Sequence, residues 1–185
     1  MKKIILIFFA VLCFASCATY RNTEQTLVSC DYNEKKDQTE YMVFPFGNVN
    51  IKGKWEQTKY NSSARQQFFT NSDSVTISIA MGLSKKFEFN ADGSLKGFDF
   101  VKAFYKWESE YFANSFDFSS TEIETDEENK FILWRVFGTY NNADRNMYFL
   151  SFEQNGVFKN FSVQTTKKWT EEQKIEFLKS LVFNK

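Results

Sequence analysis

Cysteines near the start of the chain are the residues whose type and spacing most invite chemistry. Cys13 and Cys17 lie four residues apart, and Cys30 is the third cysteine in the 185 residues. They follow a segment that begins with two lysines and continues as an unbroken apolar run of 12 residues, 4–15. A spanning helix needs about 20 apolar residues to cross ~30 Å of hydrocarbon, so this run is too short. A short positive segment followed by such a run is typical of a secretory signal peptide.

The end of this segment decides which cysteine reacts. The sequence "FASC" (14–17) resembles the lipobox of bacterial prolipoproteins, in which a cysteine thiol is lipidated and the chain is cut just before it. Lipoboxes have small residues at the two positions before the cysteine, and alanine and serine fit here; the position before those is usually aliphatic, but here it is Phe14. Cys13 fits worse, because Leu12 would stand directly before it. The resemblance implies that 1–16 is a lipoprotein signal peptide and that Cys17 is the lipidation site.

This resemblance also predicts where the protein resides. A lipoprotein carries two or three acyl chains on its cysteine, and two or more chains hold a protein stably in a membrane. We expect a membrane-anchored protein of the bacterial cell envelope, of a Bacteroidetes-type lipoprotein group. The residues after Cys17 lack the acidic cluster associated with surface export, which favours the periplasmic side of the outer membrane. Two alternatives are a soluble secreted product, cut after Ala18, and an uncleaved anchor.

Composition excludes several classes of function. Removing the signal takes Lys2 and Lys3 from 23 basic residues and nothing from 23 acidic ones, so the net charge changes from zero to −2. Nucleic-acid binding, which depends on clustered Lys and Arg, is therefore not expected. The chain has no histidine, which removes the usual catalytic triads and general base. Its seven glycines form no phosphate-binding motif. We expect no catalytic residues, cofactor or metal.

Four features could still bind or react, and each has a structural interpretation. The acidic "EIETDEEN" (122–129) and the "NADGS" (90–94) could bind calcium, but both fit solvated turns better. Arg135 lies inside the most apolar strand, where a cation needs a carboxylate partner, so we expect an ion pair, with an anion or partner contact as the alternative. Cys30 is expected to be a partly buried apolar residue, the alternative being a reactive or intermolecular thiol.

Hydrophobic periodicity predicts one domain at 41–185, preceded by a lipidated polar tether at 17–40 in which a short strand near 26–32 is possible. Strands are predicted at the following segments: 54–60, 65–70, 74–81, about 118–125, 130–140, 146–154 and 157–165. Asn155-Gly156 predicts a two-residue hairpin turn in which Gln154 faces Val157. The strand at 130–140 is apolar on both faces, so we expect it to be central.

Two segments predict helices. In 98–114 an apolar stripe follows helical spacing, and Asn114 suits a left-handed stop. A second helix follows a capping box formed by Thr170 and Gln173. Its apolar stripe consists of Ile175, Leu178, Leu181 and Val182.

Strands, a helix, a four-strand meander and a final helix define an α+β fold, an antiparallel sheet flanked by two main helices. This order, with its Pro45 … Trp55 opening, resembles the Mog1/PsbP-like α-β-α sandwich over about 41–183. That resemblance implies a non-catalytic accessory domain that binds a partner, here another envelope protein. The 23 phenylalanines leave a carrier of a hydrophobic small molecule or lipid as an alternative, although codon bias also explains them. A carboxylate-dependent hydrolase is a further alternative.

Overall fold

Alternating apolar residues form strands, and two longer amphipathic segments form helices, in the computed structural model, which describes residues 26–183. The strands are β1 (Leu27–Asn33), β2 (Gln38–Phe44), β3 (Gly47–Lys52), β4 (Trp55–Asn61), β5 (Gln66–Asn71), β6 (Thr76–Leu83), β7 (Ser119–Asp126), β8 (Phe131–Tyr140), β9 (Ala143–Gln154) and β10 (Val157–Val163). The helices are α1 (Gly97–Phe116) and α2 (Glu171–Phe183), and two 3₁₀ turns, Ser84–Lys86 and Glu88–Asn90, precede α1. The predicted α+β class is confirmed.

A seven-stranded antiparallel sheet forms the centre of the fold, in the order β4-β5-β6-β10-β9-β8-β7. The predicted meander β7 to β10 is confirmed. So is the hairpin turn, because Asn155 and Gly156 have φ of 55° and 81° and Gln154 pairs with Val157. β8 is covered on both faces as expected, but it lies beside the edge strand β7 and is not central. Burial on both faces therefore comes from the layers above and below it.

The tether prediction is wrong from Leu27 onward. β1 pairs antiparallel with β2 from Leu27 opposite Phe44 to Asn33 opposite Gln38, and β3 completes a second, three-stranded sheet. The sequence looked polar because only one face of this small sheet is buried, so every second residue faces water. Residues from Leu27 onward thus belong to the folded domain, which was predicted to begin at 41, and the strand considered near 26–32 is β1. Residues 1–25, with Cys13 and Cys17, lie outside the described residues.

Two hydrophobic cores lie on opposite faces of the large sheet. On one face, α1 packs through Phe100, Val101 and Phe104 on a set of sheet residues that includes Trp134 and Phe149. On the other face, the small sheet and α2 pack together on residues of the large sheet. The cores share the large sheet, so its strands carry apolar residues that point both ways. This produces a sandwich with a helix outside one face and a helix beside a small sheet outside the other.

The ends of the helices follow local signals. The capping box is confirmed, since the Thr170 amide donates to the Gln173 side chain at 2.9 Å and the Gln173 amide donates to the Thr170 hydroxyl at 3.3 Å. α1 runs past the predicted stop at Asn114 and ends at Asp117, which takes the left-handed conformation with φ of 57°. No helix within residues 26–183 is long and apolar enough to cross a membrane.

Replacing Gly138 in β8 tests how tightly the core under α1 is packed. A Cβ at this position would lie 2.4 Å from Cδ1 of the buried Phe118, which follows α1 directly. Gly138→Ala should therefore lower the free energy of unfolding by about 1–3 kcal/mol, because the ring has to move in a packed core. Urea denaturation measures this. Gly82→Ala in β6 is the matched control, since its Cβ would meet nothing closer than 3.9 Å. Equal midpoints for the two variants would contradict the prediction.

Candidate functional site

Incomplete coverage of the sheet by α1 creates a groove. The helix lies over β7, β8 and β9 and reaches β10 through Phe104 and Phe158, but it does not extend over β5 and β6. An open groove of about 510 Å³, which we call the α1 groove, lies between α1 and the loop that joins β4 to β5, residues 62–65. A second recess, of about 170 Å³, is smaller.

Aromatic rings form the floor of the α1 groove. The ring centroids of Phe104 and Phe158 are 4.3 Å apart, and Phe87 packs edge-on against Phe158 at 5.1 Å. Phe87 stands between the two 3₁₀ turns, so the turns place its ring under the helix. The groove therefore offers a rigid apolar base.

Asn90 holds the turns that carry Phe87. Its side-chain amide donates to the carbonyls of Ser84 (3.2 Å) and Leu95 (3.1 Å), and its oxygen accepts from the Leu95 amide at 2.8 Å. Asn90 is fully buried. The "NADGS" segment is thus a turn, in which the first residue is a structural brace and not a calcium ligand.

Trp107 and Glu88 form one wall of the groove. The Trp107 indole Nε1 donates to Glu88 Oε1 at 2.9 Å, and its ring packs on Phe87 and Phe104 with centroids 5.9 and 6.0 Å away. Trp107 was predicted as part of the apolar stripe of the helix. The structure shows that it also reaches the groove, with its polar edge fixed by a carboxylate.

Glu108 is the residue of the site that the sequence analysis missed. It follows Phe104 by four positions, which places both side chains on one face of α1. The walls of the groove partly bury its carboxyl, and this desolvation raises the pKa of Glu108 to about 7. The signal that could have found it is an acidic residue within an apolar helical stripe. Arg65 and Lys86 also line the groove, so both signs of charge are present.

Two carboxylates, Glu88 and Glu108, therefore line the same groove. The hydrolase alternative requires a pair of acids in a cleft, and these are the two residues to which it would apply. The indole of Trp107 already occupies one oxygen of Glu88. Among residues 26–183, no group of three or more His, Cys, Asp or Glu side chains could hold a metal ion.

The acidic segment 122–129 lies in the β7–β8 hairpin. Both oxygens of Asp126 accept hydrogen bonds from Asn129 at 2.8 Å, one from its amide and one from its side chain, and these bonds lower the pKa of Asp126. Glu124 pairs with Lys179 of α2. Hairpin closure and helix contact thus account for this cluster.

Arg135 is a structural residue. Its Nη1 lies 3.8 Å from Glu171 Oε2, and its guanidinium carbon is 4.6 Å above the ring of Phe137. Lys174 is buried beside this pair, with its ammonium 4.9 Å from the Tyr148 ring, and burial lowers the pKa of Lys174. The predicted ion pair is present, and it joins the start of α2 to the sheet.

Cys30 lies half-buried against the core between the two sheets. Burial raises the pKa of the Cys30 thiol, and the neighbouring charge of Asp31 raises it further. A raised pKa keeps the thiol protonated and weakens it as a nucleophile. This favours the packing role expected from the sequence.

Two solved structures are similar to this chain in structure and share little of its sequence. No protein-family model and no curated protein matches it. It is similar to the solution structure of cyanobacterial PsbP (CyanoP) from Synechocystis sp. PCC 6803, with 13% identity over 86% of this chain and 92% of that chain and a TM-score of 0.46. It is also similar to a crystal structure from Bacteroides thetaiotaomicron, with 8% identity over 68% of this chain and 40% of that chain and a TM-score of 0.38. These likenesses concern the fold alone, so no residue, activity or partner passes from them to this chain.

The raised pKa of Glu108 makes the stability of the protein depend on pH. In the folded state the Glu108 carboxyl keeps its proton up to a pH of about 7, whereas an ordinary glutamate loses it near 4.5. The free energy of unfolding is therefore highest below about pH 4.5, and it falls as the pH rises from there through 7. The wild-type free energy of unfolding should fall by about 1–3 kcal/mol between about pH 5 and pH 8 because of Glu108. Glu108→Gln, which has no carboxyl to titrate, should lack this fall. Urea titrations across that range measure it.

Glu110→Gln is the matched control for Glu108→Gln, because Glu110 lies two residues further along α1 and is exposed to water. We expect its stability profile to follow that of the wild type. Parallel profiles for wild type and Glu108→Gln would show that the Glu108 carboxyl is solvated, contrary to the described geometry.

Proposed function

We propose that the protein is a lipid-anchored accessory protein of the bacterial cell envelope whose domain binds a segment of another envelope protein in the α1 groove and catalyses no reaction. The α1 groove is the observation that carries this proposal. It is open along one side, it has a rigid aromatic base, and charged side chains of both signs stand around it. An open groove suits a chain segment, which enters from the side and does not have to be enclosed.

The chemistry of the groove defines the segment that fits it. The half-buried rings of Phe87 and Trp107, packed on the buried Phe104, offer a surface for an apolar or aromatic side chain, which is the kind of anchor that dominates binding energy at interfaces. Glu108 stands beside this surface with a carboxyl that is partly stripped of water. A basic group next to the apolar anchor would restore a favourable partner for the ionised form of Glu108. We therefore expect a segment with an apolar side chain followed closely by Lys or Arg.

The volume of the groove favours a second candidate, a carrier of a hydrophobic small molecule. Pockets that bind small ligands are typically about 300–1,000 Å³, and the α1 groove, at about 510 Å³, falls in this range. Such pockets also bury most of their ligand. The open side and the charged residues of the groove suit a protein segment better than a wholly apolar molecule.

The proposed lipid anchor is attached to Cys17, so replacing Cys17 tests where the protein is located. Cys17→Ala should abolish incorporation of labelled palmitate and move the protein from the membrane to the soluble fraction, because the thioether site is lost. Cys13→Ala is the matched control and should behave as the wild type, since Cys13 leaves with the signal. If wild type takes up no palmitate and Cys17→Ala stays fully membrane-bound, the lipoprotein proposal is wrong.

Binding in the groove is tested by truncating its wall. A photoreactive phenylalanine at Ala64, an exposed residue of the groove, should crosslink an envelope protein in intact cells. Trp107→Ala should reduce that crosslink by about tenfold or more, which is the effect of removing a buried aromatic anchor. The yield of the crosslinked band on an immunoblot measures this.

Tyr111→Ala is the matched control, because Tyr111 is an aromatic residue one turn further along α1, is exposed, and does not line the groove. It should leave the crosslink intact. Equal crosslinking after Trp107→Ala, with the variant folded by circular dichroism, would contradict the proposal. A small apolar molecule that co-purifies with wild type and is absent from Trp107→Ala would establish the carrier function instead.

A further inference from the structure

Large apolar side chains are exposed at one end of the β1–β2 hairpin. Leu27 is 69% exposed, Phe44 58%, Val28 54% and Met42 43%. We call these four residues the apolar end. Leu27 pairs with Phe44 and Ser29 with Met42, so three of the four share the outer face of the small sheet, away from the core. Contiguous exposed apolar side chains of this kind usually mark a surface that meets something.

Charged side chains occupy the opposite end of the hairpin. Asp31 pairs with Glu40 there, and the turn carries Glu34, Lys35, Lys36 and Asp37, of which Lys36 forms an ion pair with Glu40 at 3.5 Å. Four residue steps separate Asp31 from Leu27, which is about 14 Å along the strand. The hairpin is therefore apolar at the end that carries Leu27 and charged, with both signs, at the other.

Exposed apolar side chains at the edge of a domain suit the boundary between the headgroups and the acyl chains of a bilayer, where the apolar faces of surface-bound segments are buried.

The proposed lipid on Cys17 would bring the apolar end to a membrane. Nine residues, 18–26, separate Cys17 from Leu27. Ten residue steps span at most about 35 Å. The proposed anchor thus holds Leu27, the first residue of β1, within that distance of the bilayer surface. The remaining exposed large apolar residues, such as Tyr111 and Phe183, lie on other elements.

We propose that the apolar end inserts into the headgroup region of the same membrane that holds the lipid on Cys17, and so orients the domain on the bilayer. This inference rests on the proposed lipid anchor. Side chains of interfacial segments reach about 5–10 Å into the boundary between headgroups and acyl chains. With the apolar end inserted, the charged end of the hairpin points away from the bilayer.

The lipidated full-length protein, reconstituted in vesicles of phosphatidylethanolamine and phosphatidylglycerol, provides the test. A bimane label on Met42→Cys, in a Cys30→Ser background, should show blue-shifted emission and strong quenching by a spin-labelled phospholipid. The matched control carries the label on Glu34→Cys, in the exposed turn at the charged end of the hairpin. Quenching should be several-fold stronger at 42 than at 34.

Two readouts distinguish failure of the proposed insertion from failure of the proposed lipid anchor. Flotation of the protein with the vesicles reports the anchor, and quenching at 42 reports the insertion of the apolar end. If the protein floats and both labels are quenched equally, the insertion proposal alone is wrong. If the protein does not float, the anchor proposal is wrong and the insertion proposal with it. A blue shift at 42 without lipid quenching means that a second copy or another protein covers the apolar end, which also overturns the proposal.

A further variant tests whether the label inserts into the membrane without the apolar side chains around it. Leu27→Ser combined with Phe44→Ser removes two exposed side chains that face away from the core, so the domain should stay folded. The label at 42 should then lose most of its quenching. Quenching that persists unchanged would show that the label inserts without the help of the apolar end, and would overturn the proposal.

Discussion

Burial of the seven-stranded sheet on both faces is the constraint on which the rest of this structure depends. One face is covered by the small sheet together with α2, and the other by a single helix. A helix is about 10–12 Å across, whereas neighbouring strands are about 4.8 Å apart, so one helix covers only two or three strands. α1 therefore leaves part of its face open. The α1 groove is the direct result of placing one helix on seven strands.

The same geometry explains the chemistry of the groove. Glu108 projects from the face of α1 that also carries Phe104, so the carboxyl lies at the boundary between core and water, and its pKa rises to about 7. The same face of the sheet carries polar residues in β5, β6 and β10 that are paired with one another; Ser78 and Ser162, both buried, form a hydrogen bond of 2.5 Å, and Gln66 donates to Ser78 at 2.7 Å. These hydrogen bonds offset the cost of burying the two hydroxyl groups.

Local sequence signals predicted much of the fold correctly. The Asn155-Gly156 turn fixes its own register, because both residues adopt positive φ and the strands on either side alternate with a period of two. The Thr170 capping box works within one helical turn. A strand near 26–32 was considered, and it corresponds to β1, whereas β2 and β3 were not predicted, because each has only one buried face and packs on elements far away in sequence. Position 108 in the helix was visible as a charge near an apolar stripe, but nothing local showed that Glu88, Trp107 and residues of β5 and β6 would surround it.

The sequence by itself determined the elements from β4 onward, their order and the hairpin register, since each depends on residues close together in the chain. Tertiary structure alone decided which strands share a sheet, that α1 covers only part of the large sheet, and that Glu108 is partly desolvated. It also decided that Leu27, Met42 and Phe44 remain outside both cores. These outcomes depend on packing between segments that are far apart in sequence, and packing is settled by shape and burial when the layers meet.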